Sequence, residues 1–278
     1  MKESSRPLIL SLHHVGAPPR SARIRGLFTT PSLLSFQLRW LLRSGYTFTT
    51  LSRAFARPDR RTAVVTFDDG YRDNLTAGLP VLEELGIPAT VFVITGDVGK
   101  RGVTWSEAGD PLPSDMLGWD DLALLQSKGW EVGSHADQHI HLARHSPEVQ
   151  LSTISSSIDA ICKNLGSRPR SFAYPYGSYD ETTKRIVSDC GFELAVTARS
   201  GVASGRHQES LLELSRIPIG GRRFYHFLKC FNRTRRALGG RESALRALDL
   251  LLGPSREGRV GRAEAAAPFY IPADSAEQ

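Results

Sequence analysis

Residues 63–70 read A-V-V-T-F-D-D-G, and this stretch decides the fold: a short apolar run ends in two adjacent carboxylates and a glycine. The run predicts a buried strand. Working outward, similar runs occur at residues 8–12, 89–94, 131–134, 171–174 and 192–197. Helical patterns separate them, at residues 32–43, 79–85, 120–128, 147–165 and 180–190. Strands that alternate with helices in this way predict βαβ units and a parallel sheet.

The number of strands, about seven, predicts a closed or nearly closed (β/α) barrel, with an open doubly wound sheet as the alternative. We expect this single domain to occupy residues 8–222. The sequence then changes in character, because residues 224–238 are basic and aromatic and residues 253–278 are rich in Gly, Ala, Arg and Pro. Residues 223–278 are therefore expected to form a basic helical extension and a disordered tail.

The composition is that of an ordinary soluble domain. Of 278 residues, 40% are hydrophobic and 23% are charged, and the net charge of +6 is interpreted as a solvated surface rather than a nucleic-acid site. Residues 1–7 are polar, and no apolar run has the length of a signal peptide or a membrane span. We therefore expect a cytoplasmic protein, with a peripheral membrane contact through residues 224–238 as an open alternative. The sequence does not indicate the oligomeric state.

Polar residues follow several of the predicted strands. His13 and His14 end the first strand, and we expect one of these side chains to face a pocket and the other to point outward. His135 and His139 are four residues apart, a spacing that brings two imidazoles to one ion in a helical turn. Residues 174–177, Y-P-Y-G, predict a turn that presents a backbone N–H. In a parallel barrel, the carboxyl ends of the strands carry the active site.

The two aspartates after the second strand can have different tasks. Neighbouring strand residues point to opposite sides, so one of Asp68 and Asp69 can bind a metal while the other acts as a base. Two histidines and a carboxylate also form the site of non-haem iron oxygenases. Those enzymes are expected on all-β scaffolds, and the α/β pattern argues against them. Residues 96–118 are rich in Gly, Pro, Asp and Ser and predict a long loop, and loops of that length are often functional lids or insertions.

Taken together, T-F-D-D-G, G-S-H-A-D-Q-H and F-A-Y-P-Y-G resemble the motifs of polysaccharide deacetylases of carbohydrate esterase family 4, which share the chitooligosaccharide-deacetylase homology domain. The resemblance covers residues 8–220. Ala136 replaces the usual Ser or Thr of the second motif, and Ala173 stands where the third motif has Arg. Arg216 is the candidate to supply the lost charge. The late Leu-x-His motif has no match, whereas a sub-group has a strand-end His that matches His13.

The resemblance implies a distorted (β/α)7-like barrel and a specific set of site residues. One divalent metal, zinc first and Co, Ni, Mn or Fe as alternatives, is implied at Asp69, His135 and His139. The implied catalytic groups are the base Asp68, the acid His13 and the backbone N–H of Tyr176. Asp68 is expected to help keep His13 charged. The implied substrate-binding residues are Tyr174, Pro175 and Gly177, and Arg216 is a supporting residue.

The implied activity is hydrolytic removal of N-acetyl or O-acetyl groups from an amino-sugar-containing polysaccharide, oligosaccharide or glycan intermediate. Two alternatives remain open from the sequence. The changes at Ala136 and Ala173 are compatible with a catalytically weak relative that binds carbohydrate without turnover. The same metal set is also compatible with another amide hydrolase acting on a small amino sugar.

Overall fold

The computed structural model describes residues 7–57, 61–105, 113–201 and 210–220. The strands are β1 (Leu8–Leu12), β2 (His14–Val15), β3 (Phe28–Thr29), β4 (Thr47–Phe48), β5 (Thr62–Phe67), β6 (Ala89–Val93), β7 (Glu131–Ser134), β8 (Ser171–Ala173), β9 (Leu194–Ser200) and β10 (Leu214–Pro218). The α-helices are α1 (Pro31–Arg43), α2 (Leu51–Ala56), α3 (Leu79–Glu84), α4 (Trp119–Ser127), α5 (Pro147–Leu165) and α6 (Glu181–Asp189). The extension expected at residues 223–278, with its basic aromatic segment, lies outside these ranges.

Seven parallel strands close into a barrel in the order β1-β10-β9-β8-β7-β6-β5, and β5 pairs again with β1. The closing pair runs in register from Leu8 opposite Ala63 to Leu12 opposite Phe67. β4 pairs with the start of β5. The predicted (β/α)7-like barrel is therefore confirmed, and the alternative of an open doubly wound sheet is wrong.

The alternation of side chains along each strand divides the apolar core. Leu8, Leu10 and Leu12 of β1 belong to the large cluster that packs against helices α1, α3 and α4. Ile9 belongs to a separate cluster with inward-facing residues of the other strands, which are Val64, Phe92, Ala173, Leu194, Val196 and Leu214. Small residues make room for the one large ring in this interior, since a Cβ at Gly133 would lie 2.6 Å from the ring of Phe92.

Most of the predicted elements agree with the structure, and the exceptions are short or irregular. The predicted helix at residues 79–85 is α3, with Pro80 in its first turn, and a π-helix at Asn74–Gly78 precedes it. The strand β10 was not predicted, because Arg216 and Pro218 interrupt its apolar pattern. Within the described ranges, no helix is long and apolar enough to cross a membrane.

One carboxylate ties three elements together at the amino-terminal end of the barrel, away from the motif residues. Glu131, the first residue of β7, accepts hydrogen bonds from the Ser52 N–H at 2.8 Å and the Ser52 hydroxyl at 2.7 Å. It also accepts one from the Ser171 hydroxyl of β8 at 2.6 Å. These bonds connect the start of α2 to the first residues of the neighbouring strands β7 and β8.

We expect Glu131→Ala to lower the free energy of unfolding by about 2–4 kcal/mol, because three donors lose a charged acceptor. Chemical denaturation monitored by circular dichroism measures this change. The control is Glu84→Ala, which removes an exposed ion pair with Arg39 and should change stability little. Equal stability of the two variants would contradict the fastening role of Glu131.

Candidate active site

The carboxyl end of the barrel carries three residues in a rarely occupied backbone conformation. Asp69, Ala136 and Tyr176 have φ values of 72°, 62° and 55°, and among the described residues they are the non-glycine positions with positive φ. This conformation costs an L-residue about 1–2 kcal/mol. Each of the three lies in a different sequence motif. Local strain of this kind concentrates where the surrounding structure must aim side chains at a site.

Asp69, His135 and His139 come together in one cluster. The Oδ1 atom of Asp69 lies 3.2 Å from Nε2 of His135 and 3.6 Å from Nε2 of His139. One donor atom from each of the three residues lies within 4.8 Å of the others, as a metal-binding group requires. Nδ1 of His135 lies 2.7 Å from the carbonyl oxygen of Ala173, to which it donates, so the other ring nitrogen, Nε2, is the one that faces the cluster. The residues present thus fit a divalent ion.

The charges of this cluster are strongly coupled. Burial acts to raise the pKa of Asp69, but the hydrogen bond from His135 and the charge of His139 outweigh it and hold that pKa far below its usual range. Burial lowers the pKa of His139 to about 3. For His135, burial is outweighed by the hydrogen bond and charge of Asp69, so its pKa is raised. An ionised Asp69 and a neutral His139 are the protonation states in which both groups act as metal ligands.

The histidine pair does not lie in a helical turn, so that part of the sequence interpretation is wrong. Residues 135–139 form an irregular loop in which Ala136 is left-handed, and this turn brings the two rings to a centroid distance of 5.3 Å. The Ser134 hydroxyl accepts the Ala136 N–H at 3.1 Å and lies 2.6 Å from the Ser157 hydroxyl. The loop is therefore supported by hydroxyls although position 136 has none.

Asp68 has a different partner. Arg216 of β10 donates from both terminal nitrogens to the two carboxylate oxygens of Asp68, each at 2.7 Å. It also donates to the Thr66 hydroxyl at 3.1 Å and to the Thr197 carbonyl at 3.0 Å. Burial acts to raise the pKa of Asp68, but the charge and hydrogen bonds of Arg216 lower it. The structure thus places Arg216, the candidate for the missing charge, directly on Asp68.

His13 and His14 both face inward, so the expectation that one points outward is wrong. Nε2 of His13 lies 3.9 Å from Oδ2 of Asp68. Burial lowers the pKa of His13, whereas the charges of Asp69 and Asp68 act to raise it without outweighing burial. Asp68 therefore acts in the expected direction but does not by itself keep the ring charged. His14 is buried, and its Nδ1 lies 2.6 Å from Oδ2 of Asp73.

The residues of the third motif, at positions 174–177, lie partly in the apolar core and partly at the site. The ring of Tyr174 is buried and its hydroxyl donates to the Leu212 carbonyl at 2.9 Å. Pro175 is also buried. The ring of Tyr176 instead lies 4.1 Å from that of His139, measured between centroids. Gly177 permits the turn, since a Cβ there would lie 2.6 Å from that of Ala198. The structure thus brings Tyr176 to the metal-ligand cluster and leaves Tyr174 in the core.

Sequence reasoning missed two aromatic residues beside the cluster. Tyr71 is buried, and burial together with the charge of Asp69 raises the Tyr71 pKa well above its usual value. The ring of Trp105 lies 4.4 Å from that of His139, and its N–H donates to Asp97 at 2.9 Å. Tyr71 directly follows the aspartate–glycine turn, which is the signal that could have identified it.

Trp105 belongs to the segment that the sequence predicts as a lid. The described parts of this segment form antiparallel bridges, Val103 with Ser114 and Tyr71 with Met116. The Gly70 carbonyl accepts the N–H of Leu117 at 2.9 Å. These contacts fasten the segment to the turn after β5. Its role as a functional lid or an insertion stays a prediction.

Comparison with known proteins agrees with this geometry. The family model of the polysaccharide deacetylases matches residues 56–195, which are 140 of the 278 residues. At the carboxyl end of the barrel, three residues that could hold a metal ion lie beside the aspartate Asp68. The chain belongs to the polysaccharide deacetylase family. The assignment to a sub-group with a strand-end histidine stays a prediction.

Individual relatives are distant. The Bacillus subtilis protein YxkH, whose name places it among polysaccharide deacetylases, is 26% identical over 66% of this chain and 62% of its own length. The poly-beta-1,6-N-acetyl-D-glucosamine N-deacetylase of Staphylococcus aureus is 22% identical over 75% of this chain and 73% of its own length. The chain thus spans less than two thirds of the Bacillus relative.

Solved structures show the same barrel. The Streptococcus pyogenes deacetylase PplD, solved in complex with acetate, superposes with a TM-score of 0.65 at 28% identity. The aligned region covers 77% of this chain and 92% of that protein. IcaB from Ammonifex degensii has a TM-score of 0.64 at 24% identity, over 76% of this chain and 91% of that protein, and shows the shared fold.

We expect Arg216→Met to be destabilising by about 3–5 kcal/mol at neutral pH, because Asp68 becomes a buried carboxylate without a partner. In the parent protein the lowered Asp68 pKa stabilises the fold above the unfolded-state pKa, and this contribution is lost as the pH falls through the folded-state value. In the variant, burial raises that pKa, so protonation relieves the penalty. The stability difference should therefore shrink on acidification.

Denaturation curves of both proteins between neutral and acidic pH measure this difference. The control is Arg199→Met, which changes an arginine whose side chain is 55% exposed and should show no such pH dependence. A constant difference between Arg216→Met and the parent at every pH would show that Arg216 does not set the ionisation of Asp68.

Proposed function

We propose that this protein is a metal-dependent hydrolase that removes N-acetyl groups from a glycan containing acetylated amino sugars. The observation that carries the proposal is the convergence of Asp69, His135 and His139 beside an Asp68 that Arg216 holds ionised. Membership of the polysaccharide deacetylase family and the poly-N-acetylglucosamine substrate in the name of the Staphylococcus relative support it. Removal of O-acetyl groups remains the alternative chemistry at the same site.

One divalent ion is assigned to the three-residue cluster. Two imidazole nitrogens and one carboxylate oxygen suit zinc in a catalytic site, and Co, Ni, Mn and Fe accept the same donors. When bound, the ion supplies Lewis-acid chemistry, which acidifies water and polarises the acetyl carbonyl. The Ala173 carbonyl accepts a hydrogen bond from His135, which orients the ring and makes Nε2 a stronger metal ligand.

Asp68 is assigned the role of general base. Its carboxylate lies one residue from the metal ligand Asp69 but has separate partners, so it remains available to accept the proton of the attacking water. The double hydrogen bond from Arg216 fixes its orientation and keeps it ionised near neutral pH. A positioned base of this kind contributes about 10²–10⁴-fold to the rate.

The turn at residues 174–177 is assigned to the acetyl group. Tyr176 is left-handed and its ring contacts that of the metal ligand His139, while the missing Cβ of Gly177 lets the turn pack against Ala198 of β9. In this position the Tyr176 N–H would stabilise the negative charge that develops on the acetyl oxygen during attack. Since Tyr174 is enclosed in the core, we assign it to supporting this turn, with Pro175.

His13 is assigned to the leaving amine, which departs only after it gains a proton. Its Nε2 lies 3.9 Å from the carboxylate of Asp68, which is beyond direct hydrogen-bond reach, so the proton that Asp68 takes from water would pass to His13 through a bridging water. The lowered pKa of His13 makes it neutral before the reaction, ready to accept that proton and then to donate it. Base and acid thus exchange one proton in a single cycle.

The intact set of groups favours turnover over carbohydrate binding alone. Ser134 and Ser157 support the loop at Ala136, and Arg216 brings positive charge to Asp68 although position 173 is Ala. A small amino sugar is the alternative substrate. An acetylated carbohydrate is the proposed partner and nucleic acid is not. The cytoplasmic location and the membrane contact through residues 224–238 stay predictions.

The direct test is acetate release from a panel of β-1,6- and β-1,4-linked N-acetylglucosamine oligomers by the protein loaded with one equivalent of Zn²⁺ or Co²⁺. We expect release from at least one member and none after the ion is removed by a chelator. Binding of the oligomers without acetate release would support the carbohydrate-binding alternative instead.

Substitution of Asp68 and of Asp69 should have different effects on metal content and on the rate of acetate release. We expect Asp69→Asn to lose the ion, because the carboxylate donor of the cluster is gone, whereas Asp68→Asn should keep it and lose about 10²–10⁴-fold in rate. Elemental analysis and acetate release measure the two effects. Loss of metal from Asp68→Asn, with retention by Asp69→Asn, would exchange the assigned roles.

His13→Ala should keep its metal and fold but lose about 10²-fold or more in rate on an acetamide, since the amine cannot leave without a proton. The loss should be much smaller on an activated acetate ester, whose leaving group needs none. The comparison of the two substrates measures this. The exposed His145 provides the matched control, His145→Ala. Equal losses on amide and ester would remove His13 from the acid role.

A further inference from the structure

His13, to which the proton of the leaving amine is assigned, lies in a gap of one residue between two strands. β1 ends at Leu12 and β2 begins at His14. The side chain of His13 is 28% exposed, and its Nε2 lies 3.9 Å from the Asp68 carboxylate, which is too far for a direct hydrogen bond. The position of the ring therefore depends on how firmly the backbone of residues 12–15 is held.

Asn74 holds this backbone at His13 itself. Its Nδ2 donates to the His13 carbonyl oxygen at 2.7 Å and to Oδ1 of Asp73 at 3.0 Å. Because both partners are acceptors, the nitrogen of the amide must face them. Asn74 is 0% exposed, and its Oδ1 has no hydrogen-bond partner in the part of the chain that the structure describes. A leucine of similar size would avoid that unpaired oxygen, so the contribution of an amide at this position is its bond to His13.

The backbone on either side of the proposed acid is also held. Asp73 accepts the Val15 N–H at 3.0 Å through Oδ1, and its Oδ2 accepts the Nδ1–H of His14 at 2.6 Å. On the other side, the Asp68 N–H donates to the Leu12 carbonyl at 2.9 Å. The segment 68–74, which follows β5, thus bonds to the chain before, at and after the proposed acid.

A π-helix brings these side chains to the segment. Asp73 directly precedes the π-helix and Asn74 is its first residue. Its last residue, Gly78, packs against β2, since a Cβ at Gly78 would lie 3.3 Å from Cγ2 of Val15. π-Helical turns are rare and occur frequently at functional sites. The irregular turn therefore lies with one side against the residues that carry the proposed acid.

We propose that Asn74 and Asp73 are positioning residues for His13. Both act through the backbone of His13 and its neighbours and not on the substrate. This inference rests on the proposed role of His13 in the proton transfer to the leaving amine. A misplacement of about 1 Å can cost about 10²-fold in rate. Loss of the bond from Asn74 should therefore slow the step that needs this proton and leave the attack of water unaffected.

The test compares an acetamide with an activated acetate ester, using the full chain loaded with one equivalent of Zn²⁺. Asn74→Leu should lose about 10–100-fold in kcat/KM on the amide, whose amine leaves only with a proton, and little on the ester. Its metal content should equal that of the parent, because the hydrogen bonds of Asn74 go to His13 and Asp73. A merely structural role would lower both rates in proportion to the folded fraction, which thermal unfolding measures.

Gln37→Leu is the matched control. Gln37 is also 0% exposed, its Nε2 donates to the Ile219 carbonyl at 2.9 Å, and its Oε1 has no partner among the described residues. The change removes the same kind of bond at the same degree of burial. Ile219 follows β10, whose Arg216 acts on Asp68, and attack on both substrates needs Asp68. The ratio of amide to ester rate should therefore stay that of the parent.

Asp73→Ala provides a second variant, which decides the matter if Asn74→Leu folds poorly. It removes the acceptor of the Val15 N–H and of His14 at a side chain that is 30% exposed. We expect the same selective loss on the amide.

A double variant tests whether the effect passes through the proposed acid. In protein that already carries His13→Ala, the further change Asn74→Leu should lower the amide rate no more, because the ring that it positions is gone. An additional loss, equal to that of Asn74→Leu alone, would overturn the inference.

The outcomes keep the failure of this inference apart from that of the proposed function. If the parent releases no acetate from any amide, the proposed function fails and the positioning role fails with it. If His13→Ala shows the selective loss on the amide while Asn74→Leu and Asp73→Ala keep the ratio of the parent, the positioning role is wrong and the proposed function stands.

Discussion

The pairing of β1 with β5 is the constraint on which the rest of the structure depends. It closes the ring of strands, and the ladder continues beyond it where the Asp68 N–H donates to the Leu12 carbonyl at 2.9 Å. This register places His13 beside Asp68 rather than one residue above or below it. A slip of one residue would turn every side chain of β1 to the other face and remove His13 from the site. One strand pairing therefore both joins two strands of the barrel and brings His13 to Asp68.

The barrel and much of the site follow from local pattern. Apolar runs, helical spacing and the carboxylates after residues 63–67 depend on neighbours in sequence, so they can be read without knowing the fold. β10 could not be found in this way, because its central Arg216 is explained only by Asp68, 148 residues away. The left-handed Ala136 likewise depends on Ser134 and Ser157, which meet only after the strand and α5 pack together.

Burial explains where electrostatic reasoning from sequence went wrong. Nearness to Asp68 suggested a charged His13, yet desolvation of the partly buried ring has the larger effect and lowers its pKa. The sequence also could not show that His14 is enclosed, since Asp73, Phe28 and Tyr71 reach it from separate segments. In both cases the missing information is the set of side chains that remove water from the ring.

The separation of Arg216 from Asp68 along the chain has a consequence for folding during synthesis. β10 leaves the ribosome about 150 residues after β5, and chain growth at about 5–20 residues per second makes that interval roughly 7–30 seconds. Throughout it, Asp68 has no guanidinium partner and is stable only where water still reaches it. The nascent half-barrel must therefore stay open and hydrated at its carboxyl end until its final strand arrives. Docking of that strand supplies the guanidinium group that compensates the buried charge of Asp68.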